Sequence, residues 1–260
     1  MLESRSRSAG AVATAALALL TACSGAETQT MHTTKATGAD SADHGGHGGH
    51  GGHGGHGGHG GHGHGAHAGM RFEDAEHWAS RFESPERTQW QKPDAVVAAL
   101  ALAPDAHVAD IGAGTGYFAT RLARAVPQGQ VFAVDIEASM VRYLRERAQR
   151  EQLGNLQAVQ CSASEAKIPT PVDLVLIVDT YHHIDARVAY FQALRASLRG
   201  RREVVVVDFK MGDIPVGPPP GMRVPPEVLE REMAEAGYSL LRRDDALLPY
   251  QHIWTFRAAE

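Results

Sequence analysis

From residue 107 onward, the chain alternates between two kinds of hydrophobic pattern. Short apolar runs rich in valine and isoleucine are separated by longer segments in which apolar residues recur every three or four positions. The short runs predict buried strands, and the longer segments predict amphipathic helices. The predicted strands are 107–111, 130–134, 156–160, 173–178 and 203–208, and the predicted helices are 117–125, 139–153 and 187–198. This alternation is typical of a mostly parallel sheet with helices on both faces.

The segments on either side of this region have different patterns. Residues 70–103 have helical periodicity that is interrupted by prolines. After the fifth predicted strand, a proline-rich loop (215–226) leads to a predicted helix (227–236). Two further predicted strands (239–243 and 252–256) are joined by a turn. We therefore expect seven strands in total.

Residues 1–22 have the composition of a secretory signal peptide. Arg5 and Arg7 precede an uncharged apolar run that is too short to span a bilayer. The sequence Leu-Thr-Ala-Cys that ends at Cys23 resembles a bacterial lipobox. This resemblance predicts a lipoprotein that is anchored to the membrane outside the cytoplasm through lipid on Cys23. Two alternatives stay open: an ordinary signal peptide with an incidental cysteine, and a cytoplasmic protein whose translation begins at Met70.

Residues 23–69 change to small polar residues and then to a Gly-Gly-His repeat. Such a segment offers almost no apolar surface to offset its conformational entropy, so we predict a disordered tether ahead of a folded domain at 70–260. Imidazole binds Zn, Ni and Cu, which predicts adventitious metal binding. A hydrated spacer and a metal buffer are both consistent with this composition. The histidines concerned are His44, His47, His50, His53, His56, His59, His62, His64 and His67.

Composition and charge limit the class of partner. The chain has 260 residues, of which 43% are hydrophobic and 21% charged, enough for a globular domain with a sizeable core. Its net charge of −5 lacks the basic footprint of a nucleic-acid-binding protein, so we expect a small-molecule substrate and no nucleic acid. If Cys23 carries lipid, Cys161 remains the only thiol and no intrachain disulfide forms. No oligomeric state is predicted.

A glycine-rich turn follows the first predicted strand. Gly112, Gly114 and Gly116 occupy alternate positions just where the strand ends and a helix begins. Glycine permits positive φ and close approach, so the amides of residues 113–116 are expected to face a bound group. Asp110 precedes this turn, and its carboxylate would repel a phosphate but favour a cationic cofactor.

A second acid stands at the end of the next predicted strand. Asp135 is placed where the tip of that strand would meet a ribose, and a carboxylate can accept hydrogen bonds from both ribose hydroxyls. The spacing of Gly114, Gly116 and Ala119 also satisfies the dinucleotide fingerprint. An NAD-type enzyme is therefore a second interpretation of the same residues.

Taken together, these motifs resemble those of class I S-adenosylmethionine-dependent methyltransferases, and more closely the small-molecule branch that includes ubiquinone and menaquinone methyltransferases. The resemblance covers roughly Ala75 to Phe256. It implies an α/β fold with a Rossmann-like, doubly wound sheet of seven strands, mostly parallel with an antiparallel last strand. The chain departs from the family after the third strand, where Ser162 replaces an acid, and before the fifth strand, where the turn from Arg199 to Arg202 replaces Pro-Gly-Gly.

The resemblance implies S-adenosylmethionine as cofactor and methyl transfer to an unidentified small molecule. The implied cofactor-binding residues are Asp110, Gly112, Ala113, Gly114, Gly116, Asp135, Ile136, Ser162 and Asp179. The candidate catalytic bases follow the fourth strand and are Tyr181, His182 and His183. A metal-binding lipoprotein that keeps the domain only as a non-catalytic scaffold is a further alternative.

Overall fold

The structure is a computed structural model that describes residues 75–260, apart from the side chain of His77. The predicted signal peptide and the histidine-rich tether lie outside these residues. The predictions for lipid on Cys23 and for metal on the tether histidines therefore stay predictions. Within residues 75–260, every helix is too short or too polar to be a membrane span.

The described part of the chain contains seven strands, which form one mixed sheet. They are β1 (His107–Ile111), β2 (Gln130–Asp135), β3 (Leu156–Gln160), β4 (Val172–Val178), β5 (Leu198–Phe209), β6 (Tyr238–Asp244) and β7 (Gln251–Ala258). Their order across the sheet is β3-β2-β1-β4-β5-β7-β6. β7 is antiparallel to both of its neighbours, and the other neighbouring strands are parallel. The predicted fold class is confirmed, including the antiparallel last strand.

Within residues 75–260, seven α-helices flank the sheet. They are α1 (Ala75–Phe82), α2 (Pro85–Gln91), α3 (Pro93–Ala99), α4 (Ala119–Ala125), α5 (Ala138–Arg150), α6 (Arg187–Leu194) and α7 (Pro226–Glu235). The helical region predicted at 70–103 is divided into α1, α2 and α3. Ser84 caps α2 by accepting the amide of Arg87 at 3.2 Å. Lys92, with φ of 45°, separates α2 from α3, and Pro93 begins the latter.

Two apolar layers cover the two faces of the sheet. One layer contains Leu122 and Leu144 from α4 and α5, packed with sheet residues such as Val205. The other contains Phe191 and Met233 from α6 and α7. Burying each large apolar side chain contributes about 1.5–3 kcal/mol, so the two layers hold the sheet rigid. The carboxyl ends of the parallel strands are therefore fixed relative to one another.

Candidate functional site

The first element of the site is the glycine turn between β1 and α4. Gly112, Gly114 and Gly116 have φ values of 77°, 55° and 92°. A Cβ at Gly112 would lie 2.2 Å from Oγ1 of Thr180, and one at Gly116 would lie 2.8 Å from a methyl carbon of Leu144. The left-handed backbone and this close packing require glycine at both positions.

The amides of this turn donate hydrogen bonds to the protein itself, whereas the sequence-based prediction has them facing a ligand. The amide of Ala113 donates to the carbonyl of Val134 at 3.0 Å, and that of Gly116 donates to the carbonyl of Ala113 at 2.8 Å. The amide of Gly114 donates to Oδ2 of Asp135 at 2.7 Å. Three of the four amides that were expected to face a ligand, those of residues 113, 114 and 116, are therefore bonded within the protein and hold the turn in place.

Asp110, within β1, is the buried acid beside this turn. It is 3% exposed, and its Oδ2 is fully buried without a hydrogen-bond partner among the described residues. Burial, reinforced by the charge of Asp135, raises the pKa of Asp110 to about 7. An unpartnered buried acceptor costs about 1–3 kcal/mol, so a cationic ligand group beside it would supply the missing hydrogen bond.

Asp135 ends β2 and accepts two backbone hydrogen bonds. Its Oδ2 accepts from Gly114 at 2.7 Å, and its Oδ1 accepts from the amide of Glu137 at 2.9 Å. Burial raises the pKa of Asp135, while these two amides oppose the increase. Each carboxylate oxygen keeps a second lone pair, which allows hydrogen bonds from ligand hydroxyls. The adjacent Ile136 is 51% exposed and offers apolar surface to a flat ring.

Ser162 follows β3 at the neighbouring strand end. Its amide donates to the carbonyl of Glu165 at 3.0 Å, and its hydroxyl lies 3.4 Å from the same oxygen. The preceding Cys161 donates its amide to the carbonyl of Asp135 at 2.9 Å, which keeps this segment beside β2. Burial raises the pKa of the Cys161 thiol to about 11, so the thiol stays protonated at neutral pH.

Asp179 follows β4 and connects three elements across the crevice. Its Oδ2 accepts from Nη2 of Arg87 and from Nε2 of Gln91, both at 3.0 Å. Its Oδ1 accepts from Nε2 of Gln251. Burial raises the pKa of Asp179 although the charge of Arg87 opposes this. Protein donors occupy both oxygens, so in this structure Asp179 holds α2 over the strand ends instead of presenting a free acceptor.

A buried histidine and carboxylate form a pair at the ends of β4 and β5. Nδ1 of His182 lies 3.0 Å from both carboxylate oxygens of Asp208. Burial lowers the pKa of His182, but the hydrogen bond and charge of Asp208 outweigh this effect and raise it above its usual value. The other ring nitrogen, Nε2, has no hydrogen-bond partner among the described residues. It is also not fully buried. Asp208 therefore orients the ring and leaves Nε2 for a ligand.

The neighbours of His182 have different surroundings. Tyr181 is fully buried and donates its hydroxyl to Glu232 at 2.8 Å. Burial and the charge of Glu232 raise the pKa of Tyr181 above its usual value. In this structure the hydroxyl of Tyr181 is bonded to Glu232, which disfavours the predicted role of Tyr181 as a base. His183 is exposed, and its ring centroid lies 4.2 Å from that of His182.

Three aromatic residues from separate elements lie next to the buried pair. The ring of Phe209 at the end of β5 is 6.4 Å from His182 and 6.1 Å from Trp90 on α2. Trp90 is also 6.1 Å from Tyr250, which precedes β7. Trp90 and Tyr250 are half-buried. We call Trp90, Phe209 and Tyr250 the aromatic wall.

Sequence reasoning missed Arg87, Asp208 and Phe209. Asp208 ends a predicted strand, so the rule that ligands bind at the carboxyl ends of strands could have identified it. No comparable sequence motif could have identified Arg87. Its partner Asp179 is distant in the chain, and only the folded structure brings the two side chains together.

Residues 75–260 contain no group of three or more His, Cys, Asp or Glu side chains that could hold a metal ion. The nine histidines of the predicted tether lie outside this range. The described site is therefore built from carboxylates, one histidine–carboxylate pair and aromatic rings.

Residues 108–201 match the family of methyltransferase domains. Among curated proteins, no sequence matches this chain. The matched segment begins in β1 and ends within β5, so it includes the glycine turn, Asp135 and His182.

Solved structures share the fold at low sequence identity. An S-adenosylmethionine-dependent methyltransferase from Aquifex aeolicus is 22% identical with a TM-score of 0.64, over 70% of this chain and 97% of that chain. The O-methyltransferase NcsB1 from neocarzinostatin biosynthesis, solved with S-adenosyl-L-homocysteine and 1,4-dihydroxy-2-naphthoic acid, is 20% identical with a TM-score of 0.59, over 72% and 59%. The [4+2]-cyclase SpnF is 16% identical with a TM-score of 0.53, over 64% and 80%.

These identities establish the fold alone, and the cyclase is named for a different reaction. The domain match is limited to less than half of the chain, although the matched segment contains most of the site. Together they show a Rossmann-like fold with a segment that is similar to methyltransferase domains, and they support a class I enzyme that transfers methyl groups from S-adenosylmethionine.

Proposed function

We propose that this protein transfers the methyl group of S-adenosylmethionine to a hydroxyl oxygen of a small aromatic acceptor. The observation that supports this most strongly is the buried pair of His182 and Asp208 at the strand ends. A hydroxyl is a poor nucleophile until it loses its proton, so its methylation benefits from a positioned base. An aromatic acceptor is also compatible with the small-molecule branch that the sequence resembles.

The residues around the glycine turn fit the cofactor. The unpartnered Oδ2 of Asp110 suits the cationic methionine end, and Asp135 has lone pairs for the ribose hydroxyls. Ile136 after β2 and Ser162 after β3 are the residues that would contact the base of the nucleoside. When bound, the sulfonium supplies an activated methyl group and its own leaving group. The protein then has to orient the acceptor and exclude water.

His182 is the proposed base. With Nδ1–H donated to Asp208, the neutral ring presents the lone pair of Nε2 to the acceptor hydroxyl. As Nε2 takes up the proton, the ring becomes positive, and the carboxylate of Asp208 stabilises that charge. The buried position of both side chains strengthens this interaction, because little water screens it.

The aromatic wall supports a planar acceptor. Trp90 and Tyr250 present ring surface beside Phe209, and the ring of Phe209 borders His182. Aromatic rings pack well against such surfaces, at about 0.5–1.5 kcal/mol per pair beyond area burial. A phenol held there would direct its hydroxyl toward the base, whereas an aliphatic alcohol would lose this contact.

Transfer of labelled methyl from S-adenosylmethionine by residues 70–260 tests the proposal. We expect simple phenols and catechols to accept label, and matched aliphatic alcohols, amines and thiols to accept at least about tenfold less. Binding of S-adenosylmethionine and of NAD is measured in parallel by calorimetry. Label on nitrogen or carbon acceptors alone would contradict O-methylation. Tighter binding of NAD than of S-adenosylmethionine would contradict the cofactor assignment and favour the dinucleotide alternative.

We also propose that the chain is a lipoprotein anchored outside the cytoplasm, with residues 23–69 as a tether. Support comes from the sequence of residues 1–23 alone. In cells supplied with labelled palmitate, wild-type protein should incorporate label and sediment with membranes. Cys23→Ser should lose both properties, whereas Cys161→Ser, the matched thiol substitution, should keep them. Full-length protein in the soluble fraction, or a mature N-terminus at Met70, would contradict this proposal.

A further inference from the structure

One side chain that precedes β1 in the sequence is hydrogen-bonded directly to the glycine turn. Glu83 lies between α1 and α2, and its Oε1 accepts from the hydroxyl of Thr115 at 2.8 Å. Arg147 on α5 forms a two-point ion pair with the same carboxylate, with Nη2 3.0 Å from Oε2 and Nη1 next to Oε1. Nη1 of Arg147 also donates to the carbonyl of Thr115 at 2.9 Å. Glu83, Thr115 and Arg147 therefore form a closed ring of hydrogen bonds, which we call the latch.

The latch occupies a position with limited access to water. Thr115 is 1% exposed, and the side chain of Arg147 is 11% exposed. Arg147 is further fixed by Glu151, whose Oε1 lies 2.7 Å from its Nε. Glu83 and Arg147 border a polar surface cleft of about 340 Å³ between α3, α4 and α5. Dissolved ions can reach the ion pair through this cleft, while the contact with Thr115 stays buried.

The latch connects the glycine turn to the helices that cover it. Phe82, next to Glu83, has ring carbons 3.7 Å from the position a Cβ would take at Gly114. On the other side, Arg87 of α2 is paired with Asp179 at 3.0 Å. The α1–α2 segment is therefore fastened at two points, one at the proposed cofactor side and one at the proposed acceptor side. Movement of this segment away from the turn requires the ion pair between Glu83 and Arg147 to break.

We propose that Glu83 is a positioning residue that closes α1 and α2 over the glycine turn and thereby sets how long the cofactor stays bound. The role of the cofactor rests on the proposed function, but the closure itself concerns only this chain's own contacts. A partly buried, hydrogen-bonded ion pair favours one conformation of the turn, so the site is organised before the ligand arrives. Loss of the pair should act mainly on dissociation, because opening must precede release.

Hydrogen exchange of the turn amides in the cofactor-free protein gives a direct test. In Glu83→Gln, the amides of residues 114–116 should exchange about tenfold faster or more, because the charged partner of Arg147 is lost. Glu83→Asp keeps the charge and should restore part of the protection. Thr115→Val removes only the hydroxyl and should have a smaller effect. Asp94→Asn is the matched acid-to-amide control, since Asp94 borders the same cleft but pairs with Arg121 at 3.0 Å instead of with a residue of the latch.

Cofactor release is the second measurement. S-adenosylhomocysteine should dissociate about tenfold faster from Glu83→Gln, and the KM for S-adenosylmethionine should rise while kcat stays within about twofold. Added salt should accelerate dissociation from the wild type more than from Glu83→Gln, because salt weakens only an ion pair that is present. A structural role unrelated to closure would not produce this difference in salt dependence.

The two proposals fail in different ways. If the wild type does not bind S-adenosylhomocysteine, the cofactor assignment fails while the exchange data still decide whether the latch closes the segment. If exchange at 114–116 is unchanged in a folded Glu83→Gln protein, the latch proposal is overturned whatever the cofactor. Should Glu83→Gln melt below the assay temperature, the comparison of Thr115→Val with wild type decides, and equal exchange in those two proteins overturns the latch.

Discussion

His182→Ala is expected to lower kcat by about a hundredfold or more, which is the usual contribution of a positioned base. The affinity for S-adenosylmethionine should change by less than about twofold, because the described contacts of His182 involve Asp208, Phe209 and His183 and none of the glycine-turn residues. Single-turnover transfer of labelled methyl to a phenol measures the chemical step, and calorimetry measures cofactor affinity. This separation of kcat from binding distinguishes a base from a residue that packs against the cofactor.

His183→Ala is the matched control. His183 is exposed, whereas His182 is buried against Asp208, so the same substitution one residue later should leave kcat within about twofold. A folded His182→Ala protein that keeps wild-type turnover would contradict the proposed base. Equal losses of kcat in the two variants would point instead to a general role of the short helical segment Tyr181–His183.

The pair of His182 and Asp208 should also determine how kcat/KM depends on pH. Burial alone would lower the pKa of His182, but Asp208 raises it above its usual value. The base works only when neutral, so kcat/KM should increase as the pH rises through this raised pKa. Asp208→Asn removes the charge that raises the pKa, and it should move the increase to lower pH while reducing the maximum. A profile that is identical in wild type and Asp208→Asn would show that this carboxylate does not control the titrating group.

Most of the fold could be predicted because strands buried on both faces consist of apolar runs. The fifth strand was predicted to begin at residue 203, but β5 begins at Leu198. The polar segment from Arg199 to Arg202 hides its start, and Gly200 and Arg202 have positive φ there. The pairing with β4 shifts its register at this point. An irregular, arginine-rich strand start carries no apolar pattern, so periodicity could not detect it.

The residues of the site also differ in whether a local sequence pattern reveals them. Asp110 and Asp135 could be identified because short motifs place them at strand ends. The pair of His182 and Asp208 and the bond from Arg87 to Asp179 join residues that are far apart in the chain. The direction of the Tyr181 hydroxyl toward Glu232 depends on how α7 packs, which no local motif specifies. Site residues that belong to a short local motif could therefore be predicted from the sequence. Contacts between elements that are distant in the chain could not.

Asp110→Asn is expected to weaken binding of S-adenosylmethionine by roughly 10- to 100-fold at pH 7.5, because a charge-assisted hydrogen bond to the cationic end of the cofactor is lost. Burial raises the pKa of Asp110 to about 7 in the free protein. Only the ionised carboxylate attracts the cation, so wild-type affinity should increase with pH between about 5.5 and 7.5. The cofactor's amino group stays largely protonated over this window. In Asp110→Asn this pH dependence should disappear, and calorimetry across the window measures both effects.

Asp94→Asn provides the control, since Asp94 is an exposed acid paired with Arg121 on the surface and should bind the cofactor as the wild type does. Stability gives an independent check on the sign of the effect. Because the pKa of Asp110 is raised on folding, its contribution to stability is fully present below the unfolded pKa and is lost as the pH rises through about 7. At pH 8 the Asp110→Asn protein should therefore melt no lower than the wild type, although it binds less cofactor. Unchanged affinity in this folded variant, with the wild-type pH dependence retained, would remove Asp110 from the cofactor site and assign its raised pKa to burial alone.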